Sequence, residues 1–161
     1  MNKIEQHQRQ WKPNVTVAAV IERDGRFLLV EEEADGRIVL NQPAGHLEKD
    51  EDLLHAVRRE VLEETGREFR PQALVGVYLY PHPADVGITY LRFCFSGDCG
   101  EADPQRPLDH GIRRALWLDQ AALERERARM RSPLVLHCLQ DYLQGRRYPL
   151  ELLDHAPAAP A

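Results

Sequence analysis

Residues 45–67 read GHLEKDEDLLHAVRREVLEETGR. Gly45 is followed after five residues by Glu51, and after seven more by the pair Arg59-Glu60. Val61 comes next, then one free position, then Glu63-Glu64, with Gly66 closing the run. Within it, apolar residues recur at Leu53, Leu54, Val57 and Val61, the spacing of an amphipathic helix. The pattern predicts a helix over 51–65, with Asp50 as N-cap and Gly66 as the C-terminal stop.

On a helical wheel Glu60, Glu63 and Glu64 fall within an arc of about 100°. Three carboxylates this close repel one another, and without a cation one of them tends to keep its proton. With Mg²⁺, or Mn²⁺ in its place, the same cluster becomes a hard-oxygen site that can also hold phosphates and water. A charged run of this kind is more often a solvated helix face. That face should lie opposite the apolar stripe. Here Glu60 and Glu64 straddle Leu53 beside Val57, at the edge of the stripe, and so lean toward the body of the protein. The preceding Pro43-Ala44-Gly45 suits close approach of backbone to a ligand, since glycine has no side chain in the way. Glu51 and Arg59 sit eight residues apart, about two turns, on neighbouring faces, and Arg59 could hold a catalytic carboxylate by a bidentate pair, although a surface arginine would read the same way.

On the N-terminal side, VTVAAVIE (15–22), RFLLVEEE (26–33) and RIVL (37–40) read as strands separated by the turn signals Asp24-Gly25 and Asp35-Gly36. Residues 41–45 break regular structure. On the C-terminal side, ALVGVYLY (73–80) and ITYLRFCFS (88–96) read as an antiparallel pair, 97–111 as a loop, and ALWL (115–118) as a short strand. Helices are expected over 119–128 and 132–144, the second opened by Ser132-Pro133 and closed by Gly145. Residues 1–13 are expected to be a loose arm, 14–153 one domain, and 154–161 a disordered tail.

With 161 residues, 43% hydrophobic and 29% charged, the chain has the composition of one soluble globular domain. A net charge of -5 with no basic block argues against a nucleic-acid partner. No segment approaches the roughly 20 apolar residues of a membrane helix, and no apolar signal segment begins the chain. Cys94, Cys99 and Cys138 form no CxxC pair and read as free thiols, so the expected location is cytoplasmic.

The run at 45–67 resembles the Nudix box, matched at each set position except the last, where Arg67 replaces an apolar residue. Lying past Gly66, Arg67 is expected to affect the chemistry little. The order of flanking elements is also similar, so the resemblance covers most of the chain. It implies an α/β Nudix fold, a mixed β-sheet sandwiched between helices with the box loop–helix at the active site. It implies a divalent ion held by Glu60, Glu63, Glu64 and the Gly45 carbonyl, with Glu51 and Arg59 as the supporting pair. Water would attack one phosphorus of a diphosphate linkage. The box does not say which glutamate is the base, and Glu64 is the candidate. Many members carry a carboxylate where this chain has Gly111, and Asp109 or His110 could substitute for it.

A narrower resemblance, carried by NQPAGHLE (41–48), RSPLV (131–135) and RRYPLELL (146–153), is to the NudJ-type branch of the family. That branch implies phosphatase-like activity on nucleoside di- and triphosphates and on hydroxymethylpyrimidine or thiamine pyrophosphate. Two alternatives stand beside it: an ADP-ribose or dinucleoside polyphosphate hydrolase, and a non-catalytic module that senses a nucleotide. The retained Glu51, Glu60, Glu63 and Glu64 weigh against the second. Outside the box, Trp11, Tyr78, Tyr80 and Tyr90 are candidates to stack on a substrate ring. Arg92 and Arg131 are candidate phosphate clamps. Ordinary packing accounts better for the aromatic residues, and surface charge accounts at least as well for the arginines.

Overall fold

The computed structural model describes residues 10–156. Most of the expected arm, and residues 157–161 of the expected tail, lie outside them. Seven strands and three α-helices follow in the order β1 (Asn14–Arg23), β2 (Arg26–Ala34), β3 (Arg37–Asn41), β4 (Ala44–His46), α1 (Leu53–Thr65), β5 (Phe69–Pro81), β6 (Thr89–Cys99), β7 (Ile112–Asp119), α2 (Gln120–Arg125) and α3 (Pro133–Leu143). Short 3-10 turns occupy Arg127–Arg129 and Leu150–Leu152.

The sheet is mixed. Strand β1 runs parallel to β6 and antiparallel to β4, and β5 pairs antiparallel with β6. Strand β2 lies between β3 and β7, antiparallel to both, and meets β1 through a hairpin. Both early turns place Asp and Gly at positive φ (Asp24 51°, Gly25 72°; Asp35 51°, Gly36 72°), as a tight two-residue hairpin requires.

Alternation along β1 divides the core. Val17, Ala19 and Ile21 face α1 and pack with Val57, Val61 and Phe95. Ala18 and Val20 face the other way and pack with Val135, Cys138 and Leu139 of α3. Burying near-continuous apolar strands on both faces is what a sheet between helices demands.

Several boundaries move. The box helix begins at Leu53, not 51, because Asp52 and not Asp50 is its N-cap: its Oδ1 accepts the His55 N–H at 2.7 Å. Glu51 therefore lies before the helix. Gly66 ends it in the left-handed region, at φ 67°, as expected. The stretch read as a break, 41–45, contains β4, whose three residues pair with Thr16–Ala18. The expected helix over 119–128 is shorter and passes into the 3-10 turn at Arg127–Arg129. Strand β7 is twice the predicted length, starting at Ile112. Arg67 folds back over Trp117, its guanidinium 5.6 Å from the ring centroid, with Arg23 also over the ring at 5.1 Å. Its long stem thus packs where an apolar side chain would.

Candidate active site

Strand β4 and helix α1 meet at the edge of the sheet. Glu60 and Glu64 face inward and are buried, 7% and 6% exposed, despite their charge. Gly45 sits against the Glu60 carboxylate, where a Cβ would overlap it. The Glu64 Oε2 accepts the Ala44 N–H at 2.9 Å, so the loop is tied to the helix through a carboxylate.

Arg59 organises the rest. Its Nη2 and Nε hold Glu51 at 2.7 and 3.1 Å. Nη2 also donates to the His46 carbonyl at 2.9 Å. Nη1 reaches Glu60 Oε1 at 2.8 Å and Glu63 Oε2 at 3.2 Å. One guanidinium thus grips the loop and two of the three helix glutamates. The Arg59 pair holds the Glu51 carboxyl down to about 2. Burial raises Glu60, against the pull of Arg59. Burial also pushes Glu64 up to about 9, opposed by the Ala44 N–H and reinforced by the charges of Glu60, Glu32 and Asp109.

These groups surround a cavity of about 330 Å³, lined by Glu32, Ala44, Gly45, His46, Glu48, Arg59, Glu60, Glu63, Glu64, Asp109, His110 and Ile112. Asp109 is held there by its backbone N–H, which donates to the Glu63 carbonyl at 2.9 Å. Both substitutes considered for the missing carboxylate at Gly111 therefore border the cavity. Glu32 was not singled out by sequence. Its signal was alternation in β2: Glu32 shares the parity of Leu28, which faces α1, so it too points to the box side. Asn41 Nδ2 donates to Glu32 Oε1 at 3.2 Å.

The donor set fits a hard divalent cation. It is made of carboxylate oxygens, it carries excess negative charge, and Gly45 leaves room beside Glu60. Among the described residues, no three acidic, histidine or cysteine side chains enclose an ion as they stand. The Arg59 guanidinium engages Glu60 and Glu63 instead. Glu63 is the more open of the two, its side chain 37% exposed against 10% for Glu60.

The remaining candidates are dispersed. Arg131 pairs with Glu32 Oε1 at 3.2 Å, at the rim. Arg92 is buried on the α3 face and does not line the cavity. Tyr78 is buried and donates its hydroxyl to Asp141 of α3 at 2.9 Å, which makes it a core residue and removes it as a stacking platform. Tyr80 packs half-buried against the same cluster. Tyr90 stands 6.3 Å from the His46 ring and 6.2 Å from the His82 ring. Trp11 is 62% exposed and lies away from the cavity lining. The three cysteines are free thiols. No helix among the described residues is long and apolar enough to cross a membrane.

A mixed sheet between helices, with a carboxylate-bearing loop–helix at its edge, defines the Nudix fold. The model of the NUDIX domain matches residues 11–137. The chain is 39% identical over 143 residues to the phosphatase NudJ of Escherichia coli K12, covering 89% of this chain and 92% of that one. It is similar to a NUDIX hydrolase structure from Nitrosomonas europaea, with 53% identity and a TM-score of 0.87 over 90% of this chain and 98% of that chain. The solution structure of the E. coli ORF135 protein shares the fold at 23% identity and a TM-score of 0.66, over 84% of this chain and 91% of that one. The chain belongs to the Nudix hydrolase family.

Proposed function

We propose that this protein is a Mg²⁺-dependent hydrolase of phosphoanhydride bonds in small organic pyrophosphates: nucleoside di- and triphosphates, and hydroxymethylpyrimidine or thiamine pyrophosphate. The observation that carries this reading is the cavity at Gly45, where six carboxylates (Glu32, Glu48, Glu60, Glu63, Glu64 and Asp109) surround open space. Such a surface repels a phosphate chain unless a cation lies between them. The similarity to a protein named phosphatase NudJ supports release of phosphate as the activity.

Glu60, Glu63, Glu64 and the Gly45 carbonyl would hold the ion, which, when bound, supplies Lewis acidity and offsets charge on the phosphate oxygens. Arg59 keeps Glu60 and Glu63 aimed at the cavity while Glu51 anchors Arg59 from behind. A bound ion would favour the ionised form of Glu64, which, fixed by the Ala44 N–H, would then take a proton from the attacking water. Arg131, at the rim beside Glu32, is placed to meet an outer phosphate.

Phosphate release from a panel of nucleotides and thiamine-pathway pyrophosphates, with and without Mg²⁺ or Mn²⁺, tests this reading. Release should require the cation and fall by about 10²-fold or more in Glu63→Gln and Glu64→Gln. Undiminished release by both variants would sink the assigned mechanism. Products identified by mass across ADP-ribose and dinucleoside polyphosphates would reveal the competing substrate class.

A further inference from the structure

Arg92 is a buried cation without an anionic partner. It is 9% exposed, yet no carboxylate among the described residues pairs with it. Its Nη1 reaches Gln42 Oε1 only at 3.4 Å, and its Nε has no hydrogen-bond partner. Thr16 lies beside it, paired in register across the parallel β1–β6 ladder. Thr16 is 6% exposed, and its Oγ1 also lacks a partner. An unsatisfied buried charge next to an unsatisfied buried hydroxyl costs stability that a chain of this size does not carry without return. The adjoining Cys138 thiol feels the positive charge. A thiol is nevertheless a weak acceptor and cannot satisfy a guanidinium fork.

The register says what the pair adjoins. His46, Thr16, Arg92 and Tyr78 are successive cross-strand partners on β4, β1, β6 and β5. His46 borders the catalytic cavity. Strands lie about 4.8 Å apart, so Arg92 is about 10 Å along the row from His46. That is the scale on which the ring of a nucleotide stands off from its phosphates. Tyr90, one alternation away on β6, carries the His46 ring at 6.3 Å on the same side.

We infer that Arg92 and Thr16 form the floor of a specificity subsite that reads the acceptor edge of a heterocycle, a ring nitrogen beside a carbonyl oxygen, on the organic group of the substrate. A guanidinium fork matches such an edge with two parallel N–H donors. An edge that offers one acceptor next to an amino group leaves one of those donors unpaired. This rests on the proposed organic pyrophosphate as substrate. Within that class it favours cytosine and guanine nucleotides, whose rings carry such an edge, over hydroxymethylpyrimidine and thiamine pyrophosphate, whose aminopyrimidine has no carbonyl. It makes Arg92 a reader of the ring and not a phosphate clamp.

The test uses calorimetric binding of CMP and GMP, which present such an edge, against AMP, which does not, and ribose 5-phosphate, which has no ring. Wild type should prefer CMP or GMP over AMP by roughly tenfold or more, and Arg92→Lys should lose most of that preference. Equal weakening of all four ligands, ribose 5-phosphate included, would show that Arg92 holds phosphate and would overturn the inference. So would the absence of any preference in the wild type. Arg92→Met supplies an independent readout: removing an unpaired buried charge should leave the melting temperature unchanged or raised. A lower melting temperature would make Arg92 a structural residue and overturn the inference as well. A protein that binds CMP through this edge yet releases phosphate from no pyrophosphate would refute the proposed activity and leave the subsite standing.

Discussion

Gly45 is the residue at which fold and chemistry share the same space. Its missing side chain lets the Glu60 carboxylate rest against the β4 backbone. Gly45→Ala should therefore leave a folded protein, by circular dichroism, with kcat reduced by about 10²-fold, the usual cost of displacing a catalytic group by about an ångström. Arg59 acts on the same carboxylates from the other side. Arg59→Lys keeps the charge but loses the fork that spans Glu51, the His46 carbonyl and Glu60. Its activity should fall well below wild type even at saturating Mg²⁺. A lysine variant with wild-type kcat would show that charge alone suffices.

Helix α1 is held at its start by Asp52 and by the Glu51–Arg59 pair. Loss of the cap in Asp52→Ala should cost about 1 kcal/mol, read as a shift in the urea midpoint without a change in slope. The Glu51 pair adds a pH signature. Its pKa lies at about 2 in the folded chain against 4.5 for the free carboxyl. A lowered pKa means stability that is fully present above about 4.5 and fades as pH falls toward about 2. Wild type should therefore exceed Glu51→Gln in stability at neutral pH, and the gap should close across that window. A gap that persists below pH 2 would show that packing, not ionisation, is what Glu51 contributes.

At the scale of the whole molecule, the sheet face that meets α1 carries the acidic cavity, while the opposite face, under α3, carries the buried Arg92. Burial, with repulsion from neighbouring carboxylates added to it, holds Glu60 and Glu64 above their ordinary range as the molecule stands. A cation that binds there relieves the repulsion and favours the folded state. At about 100 times Kd it should contribute about 2.7 kcal/mol, which for a chain of this size raises the melting temperature by roughly 5–10 °C. Chelation should reverse the shift, and Glu60→Gln should abolish most of it. A melting temperature indifferent to Mg²⁺ and Mn²⁺ would remove the cation from the site.

The box helix and its inward glutamates were legible along the chain, because they depend on helical period. The partnership of Glu51 with Arg59 came with the family resemblance, since Glu51 lies before the helix and helical spacing does not govern it. The order of the longer strands and of the helices followed from alternation and turn residues, whereas the sheet between helices was implied by the family resemblance. Strand β4 was not legible: three residues carry too little pattern, and only pairing with β1 makes them a strand. Nor was the N-cap, since Asp50 and Asp52 are chemically alike and only the backbone path chooses Asp52. The sequence alone determined the local chemistry, which residues could bear charge toward a site and roughly where the chain turns. Tertiary structure decided which distant groups meet, bringing Glu32 of β2 and Asp109 of the loop before β7 to α1, burying Tyr78 beneath α3, and leaving Arg92 without a counter-charge. Those outcomes depend on strand register and on faces packed between segments far apart in the chain, and no local spacing encodes them.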